Sequence, residues 1–265
     1  MKTDKFNINL VVPKRLLLKK DKIDKRDFKV GSLFKTGVPV FKIDLRYYCN
    51  PVKNQGSLQS CSAFAFGAAF EIMKNIENDR AGNSVEDMDT SERFIYYNTR
   101  VLENTTGINA GVYLRDACKA LVSNGAGIEY FCPYITSQFS VKPSFLSYIS
   151  GRFMKVDSYY RCNTLNDVKT ALSNRIPVVF GMLLNENYIN CDGFYNKTGG
   201  KMIGGHAQVV VGFDDEKKSV LVRNSWGVLW GDAGYAWVNY DVFEGNSYDY
   251  WVIIPHGCNY MEVSK

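Results

Sequence analysis

The stretch GGHAQVVVGFDDEKKSVLVRNSW, residues 204–226, contains two alternating apolar runs around a charged turn at 214–218. Each run alternates as a half-buried strand does, so the stretch predicts a β-hairpin. Folded about position 215, the hairpin places His206 directly opposite Asn224, with Cβ atoms roughly 4.5–5.5 Å apart. The pattern therefore predicts an imidazole beside a carboxamide, and a slip of one residue would move one of them to the other face.

A second stretch, QGSLQSCSAF at residues 55–64, joins a glycine-containing loop to the start of an apolar helix. Cys61 falls at that helix start, where unpaired backbone N–H groups and the helix dipole favour a thiolate. If the side-chain oxygen of Asn224 accepts a hydrogen bond from one ring nitrogen of His206, the other ring nitrogen can face the Cys61 thiol and act as its base, as nucleophilic catalysis requires. A side-chain N–H of Gln55 can join the Cys61 backbone N–H as an oxyanion hole. The candidate catalytic residues are Cys61, His206, Asn224 and Gln55.

Each of these residues also has an ordinary structural explanation, such as a small buried cysteine, a core histidine, a turn asparagine or a loop-bracing glutamine. The catalytic interpretation is favoured because the predicted hairpin register places His206 and Asn224 on the same face of the sheet, directly opposite each other. Trp226 lies two residues after Asn224 and faces the same side, so its indole can keep water from the His–Asn hydrogen bond. Its alternative role is that of a core tryptophan.

The flanking sequence changes character near residues 140–155, where the helical signals stop. Helices are predicted over 60–75, 91–101, 112–124 and 163–174. Strands are predicted over 178–184, 206–213, 219–226, 235–240 and 250–254. We therefore expect an α+β fold in which a basic N-terminal arm, 1–37, precedes a mainly helical domain, 38–148, and a mainly β domain, 149–265.

Three motifs resemble the papain-like cysteine peptidases, of a cathepsin-like type with a short N-terminal extension, microbial or viral. They are PVKNQG at 51–56 leading to Cys61, Gly205-His206-Ala207, and NSWGVLWGDAGY at 224–235. Together they extend from about Val38 to Ile254. The resemblance implies a two-domain fold, with a helical left domain, an antiparallel β-barrel-like right domain and the active cleft between them.

The resemblance also implies a cysteine endopeptidase that hydrolyses peptide bonds through a thioester acyl-enzyme. In it, Cys61 is the nucleophile, His206 the general base and acid, and Asn224 the orienter. Gln55 is the oxyanion donor. The loop at 107–111 falls where the family has a Gly-rich strand that pairs with substrate. The expected substrate-binding residues are Gly107, Asn109, Ala110, Gly111, Gly205 and Trp226.

Two departures from the family pattern bear on this interpretation. Leu58 stands where the family has a disulfide cysteine, and Ser62 stands where it has a tryptophan. Neither position transfers a proton, so we still expect activity. Two alternatives stay open, a catalytically silent peptide-binding relative and another Cys–His acyl transferase such as a transglutaminase or amidase.

The charge of the chain is concentrated in the arm. The 265 residues carry a net charge of +5, and residues 1–36 alone hold 11 Lys/Arg against four Asp/Glu. Apolar residues at Leu16–Leu18, Phe28 and Phe34 interrupt these charges, which suits a segment that packs on its own protein. We therefore expect residues 1–37 to block or border the cleft as the short prosegment of a zymogen, with a solvated arm as the alternative.

Several functional classes find no support in the sequence. We expect no nucleic-acid partner, because no RNA-binding signature or paired-cysteine zinc finger is present, and no cofactor or metal. We expect neither a membrane span nor a signal peptide, because the apolar runs are too short. The seven cysteines are expected to be mostly reduced, with a Cys162–Cys191 bridge left open. The expected partners are polypeptide substrates, and the expected location is inside a cell or a virus particle.

Overall fold

The computed structural model describes residue 13 and residues 15–34, 40–85 and 88–258. Its architecture is α+β, as predicted, with three helices in the first half of the chain and most of the strands in the second. The helices are α1 (Cys61–Arg80), α2 (Glu92–Leu102), α3 (Leu114–Asn124), α4 (Phe145–Arg152), α5 (Leu165–Ser173) and α6 (Tyr240–Asn246). Short 3-10 turns occupy Val30–Ser32, Arg46–Tyr48, Glu129–Phe131, Thr136–Gln138 and Glu186–Tyr188.

Side-chain caps begin α2 and α5. The Ser91 hydroxyl accepts the Phe94 N–H at 3.1 Å and begins α2, while Thr164 and Asp167 form a reciprocal capping box at α5. The longest helix, α1, runs 20 residues and is buried along most of its length, because small alanines let neighbouring elements approach. It extends five residues beyond the predicted end. Helix α4 was not predicted, and it lies within the stretch 140–155, where the helical signals of the sequence stop.

One mixed sheet forms most of the second half. Its strands are β1 (Leu16–Leu17), β2 (Lys42–Asp44), β3 (Val156–Cys162), β4 (Val178–Asn185), β5 (Phe194–Tyr195), β6 (Met202–Asp214), β7 (Ser219–Arg223), β8 (Tyr235–Asn239) and β9 (Ser247–Pro255). The order is β3-β9-β4-β6-β7-β8-β5, and β1 and β2 also pair with β6. The main ladder is antiparallel, as expected, whereas the two-residue strands β1 and β5 pair in parallel. Strand β3 was not predicted.

The β6–β7 hairpin forms, but not in the predicted register. At the turn Asp214 pairs with Ser219, whereas beyond a bulge at Val211 the partners are Val209 and Arg223. His206 is therefore offset by two residues along β6 from the position opposite Asn224. Without the bulge, His206 would lie an odd number of residues along β6 from the position opposite Asn224. Because side chains alternate along a strand, the two would then lie on opposite faces of the sheet. The bulge thus restores the shared face that the sequence predicted by a simpler pairing.

One lysine joins the loop before α1 to helices α1 and α2. Lys53 Nζ lies 3.1 Å from Glu71 Oε1 on α1, 2.6 Å from Glu92 Oε1 on α2 and 2.5 Å from Asp89 Oδ1. The Glu71 and Glu92 side chains are almost fully buried. Removing the lysine would leave two buried carboxylates without their cation.

We expect Lys53→Met to lower the free energy of unfolding by roughly 3 kcal/mol, because a buried charge loses its partner. The matched control is Lys119→Met, which removes a half-exposed lysine paired with Asp116 and should change stability by less than about 1 kcal/mol. Urea unfolding followed by tryptophan fluorescence measures both variants. Equal effects of the two substitutions would contradict a structural role for the buried cluster.

Within the described part of the chain, no helix combines the length and the hydropathy that crossing a membrane requires.

Candidate active site

The imidazole and the carboxamide meet. His206 Nε2 donates a hydrogen bond to Asn224 Oδ1 at 2.8 Å, and the same oxygen accepts the Ser225 backbone N–H at 2.8 Å. The second bond identifies that atom as oxygen and so assigns the ring proton to Nε2. His206 Nδ1 is buried and has no hydrogen-bond partner among the described residues. Burial lowers the pKa of His206 to about 4, although the Asn224 bond opposes that shift.

Cys61 begins α1 and packs against the same strand. Its sulfur accepts hydrogen bonds from the backbone N–H of Ala207, adjacent to His206, and of Ser62, while 2% of the residue is exposed. Burial nevertheless raises the pKa of the Cys61 thiol to about 11. The sequence predicted a favoured thiolate, and for this conformation that was wrong, because the loss of water outweighs the backbone donors.

Gln55 is fixed on both sides of its amide. Its backbone N–H donates to Ser225 O at 2.9 Å, and its Oε1 accepts the Ser225 hydroxyl at 2.6 Å. One Nε2 hydrogen goes to Leu58 O at 2.8 Å. Because an amide nitrogen has two hydrogens, a second donor remains for a reacting oxygen. The Tyr134 hydroxyl donates to Gln55 O at 2.8 Å and lies 2.6 Å from Ser60 Oγ, next to Cys61.

Trp226 packs on the imidazole. Its ring stacks on the His206 ring with centroids 4.7 Å apart and planes at 29°, and it meets Tyr188 and Trp230 edge-on. With 1% of its surface exposed, the indole adds to the low dielectric around the His–Asn bond. This position fits both roles that the sequence suggested, the water-excluding cover and the core tryptophan.

The N-terminal arm passes between the segment before Cys61 and strand β6. Leu17 N–H donates to Gln59 Oε1 at 3.0 Å, and Gln59 Nε2 donates to Arg15 O at 2.7 Å. On the other side, Leu18 N–H donates to Gly205 O at 3.1 Å. The described arm residues therefore bridge the two walls that carry the cysteine and the histidine.

Glycines let the arm backbone approach closely. A Cβ at Gly111 would lie 1.8 Å from Leu17 O, and one at Gly205 would lie 2.8 Å from Leu18 O. Both glycines are among the predicted substrate-binding residues. Each wall thus leaves room for an extended backbone.

The remaining loop residues support this wall. Asn109 Oδ1 accepts the Gln59 N–H at 2.8 Å, and the Tyr96 hydroxyl donates to Ala110 O at 2.8 Å. Gly107 differs from the other predicted residues, because no described atom outside its own chain neighbours lies within 4 Å of the position a Cβ would take.

Sequence reasoning missed three residues that position the site. They are Ser225, which holds the Gln55 amide, Tyr134, which braces its backbone, and Gln59, which holds the arm. Ser225 lies between two predicted residues, so its position was a usable signal. Tyr134 comes from a distant loop, and nothing local indicates its contact.

All seven cysteines are free in the structure, so the Cys162–Cys191 bridge that the sequence left open does not form. In the part of the chain that the structure describes, no group of three or more His, Cys, Asp or Glu side chains could hold a metal ion.

Comparison with known proteins assigns this geometry to a family. A family model described as papain family cysteine protease matches residues 41–250. A peptidase C1-like protein of Acanthamoeba polyphaga mimivirus is 32% identical over 217 residues, which cover 76% of this chain and 68% of that protein. Cysteine proteinase 1 of Entamoeba histolytica is 29% identical over 211 residues, covering 74% of this chain and 61% of that protein.

Solved structures share the fold. Xylellain, a cysteine protease from Xylella fastidiosa, superposes with a TM-score of 0.80 at 28% identity, covering 91% of this chain and 97% of that chain. Digestive procathepsin L2 from Tenebrio molitor larval midgut gives a TM-score of 0.74 at 22% identity, covering 92% and 78% respectively, and supports the fold alone.

We expect the buried Cys61 thiol to react slowly with iodoacetamide at pH 7 and to react at least tenfold faster in Leu18→Asp. The acidic side chain cannot occupy the apolar site of the 8%-exposed Leu18, so the arm should leave and admit water. The matched control is Ile23→Asp, which changes an arm residue that is 92% exposed. Peptide mapping of the alkylated cysteines measures each rate. An unchanged Cys61 rate in Leu18→Asp would contradict a covering role for the arm.

Proposed function

Because the chain belongs to the papain family of cysteine proteases, we propose that it is a cysteine endopeptidase with Cys61 as the nucleophile. The observation that carries this proposal is the His206 Nε2–Asn224 Oδ1 bond of 2.8 Å, which leaves Nδ1 as the ring nitrogen available to a thiol. The Ala207 N–H on the Cys61 sulfur supports the same arrangement.

In the proposed reaction, His206 Nδ1 takes the thiol proton and the Cys61 sulfur attacks the peptide carbonyl. The oxyanion is held by the Cys61 backbone N–H and the free Nε2 hydrogen of Gln55. His206 then protonates the leaving amine, which departs and leaves a thioester. Water, deprotonated by His206, hydrolyses the thioester and regenerates the thiol. Asn224 keeps the imidazole in the tautomer and orientation that each transfer needs.

We further propose that the arm keeps the enzyme at rest. With the arm between the two walls, the buried Cys61 favours the neutral thiol and the buried His206 favours the neutral imidazole. Departure of the arm would admit water and lower the cost of the thiolate–imidazolium pair. Polypeptide substrates would then take the place of residues 15–19. The viral relative and the seven free thiols favour a location inside a cell or a virus particle.

The two histidines provide a matched test of the mechanism. In the Leu18→Asp background, His206→Ala should lower kcat/KM on a peptide library at least about a thousandfold, because the thiol loses its base. His256→Ala should leave it within twofold, since that ring is exposed and bonds only Asp157 among the described side chains. Cys61→Ala gives the background rate. Similar losses for both histidines, or cleavage that survives Cys61→Ala, would exclude the proposed mechanism.

A buried acid pair ties the arm to the body. Asp21 N–H donates to Asp249 Oδ2 on β9 at 2.5 Å, Trp251 Nε1 donates to Asp21 Oδ2 at 2.9 Å, and Arg115 N–H donates to the Asp21 carboxylate at 3.2 Å. Burial, and next the charge of Asp249, raise the pKa of Asp21 to about 6. The other charged groups around this pair are Arg115, Asp27 and Arg161.

The raised pKa makes docking weaker as the pH rises. Below about pH 4 Asp21 is protonated both in the docked and in the free arm, so docking carries no ionisation cost. Between about pH 4 and pH 6 the carboxyl of the free arm is ionised and must take up a proton to dock, so the cost of docking grows with pH. Above pH 6 the docked carboxyl ionises as well, and the cost levels off at about 3 kcal/mol. The arm should therefore hold at acidic pH and release toward neutral pH.

We expect the kcat/KM of the unmodified chain, divided by that of Asp21→Asn, to rise at least tenfold between pH 4.5 and pH 7.5. Dividing the two kcat/KM values cancels the pH profile of the catalytic pair, which both proteins share. The asparagine in Asp21→Asn is neutral at every pH, so that variant lacks the ionisation of Asp21. Asp24→Asn, an arm carboxylate bound to Arg26, serves as the control and should behave like the unmodified chain. A ratio that stays flat or falls with pH would rule out this control of docking.

A further inference from the structure

The arm places a lysine against a buried carboxylate at the edge of the groove. Lys19 Nζ forms an ion pair with Glu103 Oε2 and lies 5.1 Å from the centre of the Tyr113 ring. We propose that Glu103 is a specificity-determining residue of the peptidase, selecting a lysine or arginine side chain of the substrate at the position that Lys19 occupies. This inference rests on the proposed peptidase function and adds to it the class of substrate.

Glu103 is built into the wall of the groove. It is the residue that follows α2, and 4% of its side chain is exposed. Its Oε1 accepts the Tyr113 backbone N–H at 2.8 Å, which fixes the carboxylate between the end of α2 and the start of α3. In the described part of the chain, Lys19 is the only cation within ion-pair distance of it. The carboxylate therefore depends on the groove's occupant for its countercharge.

The order of the arm residues defines the position concerned. Leu17 N–H donates to the side chain of Gln59, two residues before Cys61, and we take Leu17 as the first position of the groove. Leu18 comes next and fills an apolar site, where its Cδ2 would lie 2.9 Å from a Cβ at Gly181. Lys19 is third.

The groove supplies backbone partners at the third position as well. Lys19 N–H donates to Val112 O at 3.1 Å. An extended substrate in the same groove would offer its side chains to the same sites in the same order, whichever way its backbone runs. The third residue from the cleaved bond would then face Glu103.

Charge decides the selection at this position. When the arm leaves, the Glu103 carboxylate loses the lysine that pairs with it. A basic substrate side chain restores the pair and gains the Tyr113 ring face, a neutral one leaves the carboxylate to water, and an acidic one meets like charge. We therefore expect the order basic, neutral, acidic.

The test uses the full chain with Leu18→Asp, which displaces the arm. The probes are three mixtures of acetylated tripeptidyl coumarins. From the acetylated end, the first residue is lysine, norleucine or glutamate, the second is leucine, and the third, next to the coumarin, is an equimolar set of residues. The first residue is thus the third from the cleaved bond. We expect kcat/KM to fall at least tenfold from the lysine to the glutamate mixture. Glu103→Gln should reduce that ratio to about two or less, with the norleucine rate retained, and Glu103→Lys should reverse the order.

The control and the outcomes separate this inference from the proposed function. Asp116→Asn removes a carboxylate that faces Lys119 on α3 and should keep the tenfold preference. Equal cleavage of all three mixtures by the Leu18→Asp chain would overturn the role of Glu103 but not the peptidase activity. This comparison does not depend on whether the Glu103 variants fold. Cleavage of none of them would overturn the peptidase, and with it the substrate preference.

Discussion

The hydrogen bond between His206 and Asn224 depends on one extra residue in a β-ladder. The bulge at Val211 changes the register of β6 against β7 and so brings the two side chains to the same face. From that bond follow the tautomer of the imidazole, the free Nδ1 and the stacking of Trp226 on the ring. A β-hairpin without the bulge would contain the same residues and present no site.

Burial has two opposing effects on this site. Low dielectric strengthens the His–Asn hydrogen bond and the contacts that hold Gln55, so the groups are positioned before any substrate arrives. The same burial disfavours the charged forms of Cys61 and His206, raising one pKa and lowering the other. In the structure the site therefore has its hydrogen bonds in place while burial favours the neutral forms of its thiol and imidazole.

The arm is held by contacts of different kinds along its length. Near the proposed nucleophile it uses backbone hydrogen bonds and the buried apolar side chains of Leu16 and Leu18, as an extended peptide does. Farther along it relies on charge, first at Lys19 with Glu103 and then at the Asp21–Asp249 pair. The first kind of contact is available to a substrate of suitable sequence, whereas the acid pair belongs to the arm alone. Under the proposed function, this difference would let release of the arm respond to pH without changing how the groove receives a peptide.

By itself, the sequence determined the α+β class, the hairpin and the set of four candidate catalytic residues. These follow from local periodicity, hydrogen-bonding capacity and motif spacing, which are properties of neighbouring residues. It also indicated that an arm with Leu16–Leu18 would pack on the body. The tertiary structure alone decided the hairpin's actual register, the contact of Tyr134 with Gln55 and the pairing of Lys19 with Glu103. It also reversed the expected pKa of Cys61, because the dielectric around a thiol depends on chain segments far away in the sequence, and no local pattern encodes how they close over it.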